Sequence, residues 1–118
     1  MSALRVLVVG GLTRLDPFYR DAPSGIEIDA VYVDCPSLEA RAEAADALVL
    51  VASNVSHSAA AKVRLVARRR GTPLASAMGP SVSRVRASIA SAFIAARALE
   101  DARDDVGVTR GRPLRTGT

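Results

Sequence analysis

The single histidine of this 118-residue chain, His57, is the side chain whose type and position are best suited to chemistry. It follows an apolar run, Ala47–Val51, and the polar residues Ser53 and Asn54, and it precedes a dozen strong helix formers. This order predicts a buried strand, a short loop and a helix that opens at residues 56–58, where a Ser in front of the helix formers can cap free backbone N–H groups. His57 therefore falls at the carboxyl end of a strand, the edge of an open α/β sheet where ligands bind. We expect Ser53, Asn54 and Ser56 to tune a ligand held there, and capping of the helix is the alternative role for Ser56.

Two adjacent glycines, Gly10 and Gly11, end an earlier apolar run and predict a tight turn. Together with the amino-terminal turn of the helix described above, such a turn could present backbone N–H groups to a phosphate or nucleotide, with Lys62 or Arg14 in support. The motif lacks the third glycine of a dinucleotide fingerprint and the Gly-Lys-Ser/Thr of a P-loop. A purely structural turn is therefore the plainer interpretation.

Cys35 and Arg41 have the spacing of a phosphatase loop, in which a thiolate attacks phosphorus. Leu38 and Ala40 replace the glycines of such a loop, and Glu39 would repel phosphate. No Ser/His/acid set and no pair of carboxylates stands out elsewhere. An enzyme is consequently the least supported class, and we expect a non-catalytic binding protein.

The charge balance is basic, with a net charge of +4 and a pI near 10.2. Its excess lies in residues 68–70 and in Arg110, Arg112 and Arg115 rather than along one helix face. A nucleic-acid-associated module is thus a third hypothesis, but the chain has no Trp and only four other aromatic residues on which bases could stack. The arginines at 68–70 also suit the carboxyl end of a helix, which cations complement.

The length predicts one domain with one core. The single cysteine excludes an intramolecular disulfide, and no charged-then-apolar leader or run of eighteen apolar residues is present, so we expect a cytoplasmic protein that does not enter a membrane. We assign residues 1–103 to a single α/β domain and residues 104–118 to a flexible or loosely docked basic tail, because periodicity is lost there.

Strands and helices alternate along the chain. The predicted strands are 4–9, 26–33, 47–51 and 72–77, and the predicted helices are 17–21, 36–45, 58–70 and 82–102. This alternation predicts a small three-layer Rossmann-like or flavodoxin-like α/β domain with a parallel sheet of about four strands. In the strand order 2-1-3-4 the first and third strands are neighbours, which places Gly10 and Gly11 beside residues 53–57 at one crevice.

Six short motifs follow one another between residue 4 and about residue 90: VLVVGG at 6–11, the pair Tyr19-Arg20, ADALVL at 45–50, VSH at 55–57, Lys62, and RGTP at 70–73. In this order they resemble a bacterial family catalogued as domain of unknown function 2325. One position departs from the family pattern, because its members often carry Asp where this chain has Ser53.

The resemblance implies a dimeric Rossmann-like fold that binds heme b, with the motif histidine, His57 here, as the iron ligand. With one histidine the ferrous iron would be five-coordinate and open to O₂ or CO unless another side chain closed it. The candidates to close it are Met1, Met78, Cys35, Tyr19, Tyr32 and Lys62. The cations available to the heme propionates are Arg14, Arg20, Arg84 and Arg86.

The last helix predicts how a dimer would form. At about 30 Å it is longer than strands of about 13 to 20 Å, so its last turns must overhang the sheet. Phe93, Ile94 and Leu99 are expected on this overhang, where a second copy would cover them and widen a slot for a porphyrin. Packing against the chain's own sheet is the alternative explanation for the apolar residues of this helix.

Overall fold

The computed structural model describes the backbone of residues 3–108 and the side chains of residues 3–102. Its strands are β1 (Leu4–Val9), β2 (Ile26–Val31), β3 (Ala47–Val51) and β4 (Leu74–Ala77). Its helices are α1 (Asp16–Arg20), α2 (Leu38–Ala44), α3 (His57–Arg70) and α4 (Val82–Val108), and short 3₁₀ turns cover Thr13–Leu15 and Ala52–Asn54.

The four strands form one parallel sheet in the order β2-β1-β3-β4. This is the order predicted from the alternation of strands and helices, and it confirms the small Rossmann-like or flavodoxin-like fold. The register pairs Val6 with Ala47 and Val9 with Leu50, so β1 and β3 end side by side at the carboxyl edge of the sheet.

β3 is buried on both faces because its alternate side chains enter two separate cores. Leu48 and Leu50 pack under α2 and α3, whereas Val49 and Val51 pack under α1 and α4. Each such side chain stabilises the fold by about 1.5–3 kcal/mol relative to an exposed one. The continuous apolar run is therefore what a central parallel strand between two helical layers requires.

Several element ends differ from the sequence prediction. β4 begins at Leu74 rather than at residue 72. Pro73 has no N–H to donate to a neighbouring strand, and only its carbonyl takes part in pairing, by accepting from the N–H of Leu48 at 2.8 Å. β2 ends at Val31 rather than at residue 33. Ser37 precedes α2, and its side chain makes no capping hydrogen bond.

α4 continues to Val108, six residues past its predicted end. Residues 95–105 are all Ala, Arg, Leu, Glu or Asp, and each of these residue types except Asp favours helix. The assigned tail therefore begins inside α4, and its residues 109–118 lie outside the described part of the chain.

The carboxyl half of α4 extends beyond the sheet, as its length predicted. Among the side chains that the structure describes, that of Ala96 is the last of α4 to be buried in the core, and the twelve helical residues that follow it span about 18 Å at 1.5 Å per residue. Ile94 and Leu99 are exposed. The expectation for Phe93 was wrong, because it lies over the sheet and packs, half-buried, against the α4-side core.

Candidate functional site

The carboxyl edge of the sheet brings together the loops that the strand order predicted to meet. Gly10 follows β1, and the turn Ala52–Asn54 follows β3. A Cβ placed on Gly10 would lie 2.7 Å from the backbone oxygen of Asn54 and 3.2 Å from that of Val51. The two loops are thus in backbone contact, and His57 begins α3 three residues beyond Asn54.

Gly10 and Gly11 are required by this turn. Both have positive φ, 99° and 104°, and the N–H of Gly10 donates to the carbonyl of Val31 at 2.8 Å. A Cβ on Gly11 would lie 3.0 Å from the ring of Tyr19. The conformation and the close approach account for both glycines without a ligand.

Tyr19 connects two loops at the carboxyl edge of the sheet, a role that the sequence did not predict. Its side chain is fully buried, and its hydroxyl accepts from the N–H of Leu12 at 3.2 Å and donates to the carbonyl of Pro80 at 2.5 Å. The loop after β1 is thereby joined to the loop between β4 and α4. The Tyr19-Arg20 pair could have marked Tyr19 in the sequence, but it gave no indication of the groups to which the hydroxyl bonds.

Three backbone N–H groups near the predicted anion site already have acceptors. The N–H of Gly10 is bonded to Val31, that of Leu12 to Tyr19, and that of Ala59 to the Oγ of Ser56 at 3.1 Å. The last contact makes Ser56 the cap of α3, which was the alternative role that the sequence left open for this residue. The anion hypothesis therefore loses these three donors.

His57 is the first residue of α3, and its side chain is exposed. Within the described part of the chain its ring takes part in no hydrogen bond or ion pair, so both ring nitrogens are accessible to a ligand. The neighbouring Ser53 donates to Oδ1 of Asn54 at 2.7 Å, and neither side chain belongs to the core. These three polar side chains occupy the loop and helix start predicted for them.

A second group at this edge consists of Asp34, Ser58 and Lys62. The carboxylate of Asp34, just beyond β2, accepts from Ser58 Oγ at 2.7 Å and from Lys62 Nζ at 2.9 Å. The hydrogen bond from Ser58, followed by that from Lys62, holds the pKa of Asp34 below its usual value, and Asp34 in turn raises the pKa of Lys62. Ser58 and Lys62 are four residues apart on one face of α3, a spacing that could have indicated a shared partner.

The four arginines expected near the propionates divide into two pairs. Arg20 is held by Asp16 at 2.8 Å, and Arg86 is held by Asp21 at 2.8 Å. Arg14 and Arg84 are exposed, and neither guanidinium forms a salt bridge among the residues the structure describes. Arg14 and Arg84 are therefore the cations available to an anionic ligand.

A family model matches residues 5–92, which include both glycines, Tyr19 and His57. The chain belongs to the DUF2325 family. That family is described as uncharacterized proteins conserved in bacteria, which confirms the resemblance seen in the sequence. No curated protein and no solved structure matches the chain.

Among the residues described for this DUF2325 protein, no helix combines the length and the apolar character needed to cross a bilayer, and no three His, Cys, Asp or Glu side chains form a metal-binding group.

Two cavities of about 380 Å³ in this DUF2325 protein lie away from His57. One is at the amino edge of the sheet, near Asp46, Arg70 and Glu100. The other, here called the α4 groove, is apolar and is lined by Pro23, Ile26, Ile89, Ala90, Phe93 and Ile94, among others.

Most side chains that could occupy a sixth coordination position on a heme iron already have partners. Tyr19 is bonded as described above, Lys62 is paired with Asp34, and the hydroxyl of Tyr32 donates to Asp16 at 2.5 Å. Burial, and then that hydrogen bond, raise the pKa of Tyr32. Cys35 Sγ lies 3.4 Å from Ser37 Oγ, and Met1 is outside the described residues. Met78, by contrast, is 75% exposed.

The Cys35-to-Arg41 segment does not form an anion cradle. Arg41 forms a salt bridge with Asp29, and this contact is the main cause that raises the pKa of Arg41. Leu38, in the middle of the segment, is fully buried in the core. The guanidinium of Arg41 is paired and Leu38 is part of the core, so the spacing of Cys35 and Arg41 is explained by the packing of α2.

The basic run at residues 68–70 lies at the carboxyl end of α3, at the amino edge of the sheet and therefore at the opposite end of the helix from His57. Arg69 forms a salt bridge with Glu43, and Gly71 ends the helix in the left-handed conformation with a φ of 69°. These cations complement the helix dipole, as the sequence suggested. Arg110, Arg112 and Arg115 lie outside the described residues.

Proposed function

We propose that this protein binds heme b as a homodimer, with His57 as the axial iron ligand, and that the ferrous protein takes up a diatomic gas. The heme would lie at the carboxyl edge of the sheet. A reducing compartment such as the cytoplasm suits a chain whose one thiol, Cys35, is free.

The observation that carries the proposal is the state of His57. It is the only histidine, it stands at the edge where ligands of open α/β sheets bind, and its ring is exposed with no partner in the described residues. A histidine that served only to cap the helix would be redundant, because Ser56 already performs that role at 3.1 Å. An imidazole nitrogen free of other bonds is what heme iron requires.

The carboxyl edge of the sheet, where α3 begins with His57, also has exposed apolar side chains after its two outer strands. Val33, just beyond β2, is 71% exposed, and Met78, just beyond β4, is 75% exposed. Apolar side chains so exposed at one edge match the apolar faces of a porphyrin. Arg14 and Arg84 offer guanidinium groups to its propionates.

The number of protein side chains that could bind the heme iron supports a role in binding a diatomic gas. A ferrous heme with one histidine ligand keeps one coordination position for O₂ or CO. Lys62, Tyr19 and Tyr32 are committed to other bonds, so they do not compete for that position. Met78 is the described side chain whose thioether could do so.

The test is a titration of the purified full chain with hemin, followed by reduction and exposure to CO. The wild type should give a Soret band and a CO-dependent shift, and His57→Ala should lose at least tenfold in affinity, about 1.4 kcal/mol. Arg64→Ala is the matched control, because Arg64 is an exposed α3 residue seven positions from His57.

Added imidazole should restore the ligand-field spectrum of His57→Ala, since the small molecule can occupy the vacated position. Heme binding by His57→Ala with an unchanged spectrum would refute the ligand assignment. A wild-type protein that showed no Soret band but was stabilised by phosphate, or that bound DNA with a steep salt dependence, would instead favour the anion or the nucleic-acid hypothesis.

A further inference from the structure

We propose that the α4 groove binds a free amino acid with an apolar side chain. Arg86 would hold its carboxylate, Asp21 its ammonium group, and the apolar part of the groove its side chain. This site is separate from the proposed heme site, because the groove belongs to the face of the sheet that α4 covers, whereas α3, which begins at His57, packs on the other face. The proposal therefore does not depend on the proposed function.

The α4 groove is a preformed concavity between α4 and the segment that joins α1 to β2. Two of its lining side chains belong to the core, since Tyr19 is fully buried and Ile89 is 4% exposed. Phe93 and Ile94 of α4 line it from one side, and Pro23, whose ring restricts the backbone, lines it from the joining segment. Its volume of about 380 Å³ falls in the range of small-molecule sites, about 300–1,000 Å³. The groove therefore suits one small ligand with an apolar part.

One cation and one anion, Arg86 and Asp21, stand at the rim of this groove. Nη2 of Arg86 donates to Oδ2 of Asp21 at 2.8 Å and to the backbone oxygen of Asp21 at 3.3 Å. Both side chains are accessible to solvent, that of Arg86 being 45% exposed and that of Asp21 77% exposed. A ligand whose apolar part enters the groove therefore places its polar end beside both charges.

Both rim side chains keep hydrogen-bonding groups for a ligand while their ion pair persists. Arg86 uses Nη2 for its bonds to Asp21, and its Nε and Nη1 donate to no residue that the structure describes. Oδ1 of Asp21 likewise accepts no hydrogen bond from the described part of the chain. The free N–H groups of a guanidinium can donate to a carboxylate, and the free oxygen of a carboxylate can accept from an ammonium group.

The presence of both charges at the rim selects a ligand that also carries both. A simple carboxylic acid would meet the like charge of Asp21, and a simple amine would meet the like charge of Arg86. A free amino acid at neutral pH has a carboxylate and an ammonium group on one carbon atom, so it can satisfy both side chains and leaves the net charge of the rim unchanged. The apolar lining then favours an apolar side chain, since a polar one would lose its hydrogen bonds to water there.

The proposal is tested with three indole compounds, because the chain contains no tryptophan whose fluorescence would mask theirs. The probes are L-tryptophan, which has both charges, indolepropionate, which has only the carboxylate, and tryptamine, which has only the ammonium group. Each is titrated with the purified full chain in the absence of heme, and fluorescence anisotropy reports binding. L-tryptophan should bind saturably and about fivefold more tightly than either single-charge compound, which is the upper range for one exposed charge pair.

Variants of the two rim residues should separate the two polar contacts. Arg86→Gln should weaken the binding of L-tryptophan about fivefold without weakening that of tryptamine, which has no carboxylate to lose. Asp21→Asn should weaken the binding of L-tryptophan without weakening that of indolepropionate. Arg69→Gln is the matched control, because Arg69 is a half-exposed arginine that pairs with Glu43 on the other face of the sheet. Its binding of all three probes should equal that of the wild type.

The apolar part of the site is tested by filling the groove. Ala90 is an exposed α4 residue that lines the groove, so Ala90→Phe should keep the fold and its helical circular dichroism but lose the binding of L-tryptophan. Ala87→Phe is the matched control, because Ala87 is an exposed residue of the same helix that does not line the groove. Loss of binding in both variants would overturn the assignment to the groove.

Two other results would contradict the proposal. Equal affinities for the three probes, or an Arg86→Gln variant that binds L-tryptophan as tightly as the wild type, would overturn recognition of the two charges. A wild type that takes up none of the probes, as expected if a second copy or another protein covers the groove, would overturn the site itself. Because heme is absent from these titrations, failure of the proposed heme binding would leave their outcome unchanged.

Discussion

Lys62 Nζ lies 2.9 Å from Oδ1 of Asp34, and this ion pair joins the loop after β2 to the second turn of α3. Ser58 donates to the other oxygen of the same carboxylate. The start of α3, and with it His57, is thus positioned by a residue from the loop that follows β2. The following predictions concern this contact and the others that hold the carboxyl edge together.

Asp34→Asn should make the protein less sensitive to acid. The pKa of Asp34 is lowered in the folded protein, so its contribution to stability is present above the unfolded pKa of about 3.9 and is lost as the pH falls through the folded value. Urea midpoints measured between about pH 6 and pH 2 should fall less steeply in Asp34→Asn than in the wild type. Some acid sensitivity will remain, because hydrogen bonds from Tyr32 and Arg20 also lower the pKa of Asp16.

Glu39→Gln serves as the control for that experiment, since Glu39 is an exposed carboxylate of α2 that accepts no hydrogen bond in the described residues. If the urea midpoint falls with decreasing pH as steeply in Asp34→Asn as in the wild type, or if Glu39→Gln reduces the fall equally, the Asp34 contacts do not contribute to stability.

Tyr19→Phe should destabilise the fold by about 1–3 kcal/mol, because it leaves the carbonyl of Pro80 and the N–H of Leu12 without their shared partner. Equilibrium urea unfolding measures the loss. Tyr32→Phe provides the comparison: its hydroxyl bonds to the solvent-accessible Asp16, so its removal should cost less. Equal costs would contradict the bridging role of Tyr19.

Gly10→Ala should be more costly than Gly25→Ala, although both residues have similar positive φ, 99° and 94°. The backbone strain of about 1–3 kcal/mol is common to the two substitutions. Only at Gly10 would the new Cβ also meet a backbone oxygen at 2.7 Å, whereas at Gly25 it would meet nothing within 4 Å. Thermal unfolding of the two variants compares them directly, and the reverse order of stability would show that the β1 and β3 loops do not pack as described.

Ser56→Ala and Asn54→Ala should separate helix capping from ligand tuning. Ser56 caps α3 through Ala59, so its loss should cost about 0.5–2 kcal/mol in stability. Asn54 makes one side-chain hydrogen bond, to Ser53, and Asn54→Ala should therefore alter heme dissociation more than the melting temperature. A large fall in melting temperature with unchanged dissociation in Asn54→Ala would mark this residue as structural.

The sequence by itself determined the layered architecture. The apolar run of β3 could be satisfied only between two helical layers, and the alternation of strands and helices required parallel crossovers. Capping could be recognised as an alternative role for Ser56 because its side chain acts on backbone three residues away, and a local pattern suffices to indicate a local contact. The placement of Gly10 beside residues 53–57 followed from the strand order, which has few alternatives in so small a sheet.

The tertiary structure alone decided which polar side chains meet across the carboxyl edge. Tyr19 and Pro80 are 61 residues apart, and Asp34 and Lys62 are 28 apart, so no local pattern links them. Arg41 has the spacing of a phosphatase loop to Cys35, yet it pairs with Asp29 of β2 because the packing of α2 on the sheet brings the two together. Side-chain partners of this kind depend on how the elements pack, and periodicity reports only which face of each element is apolar.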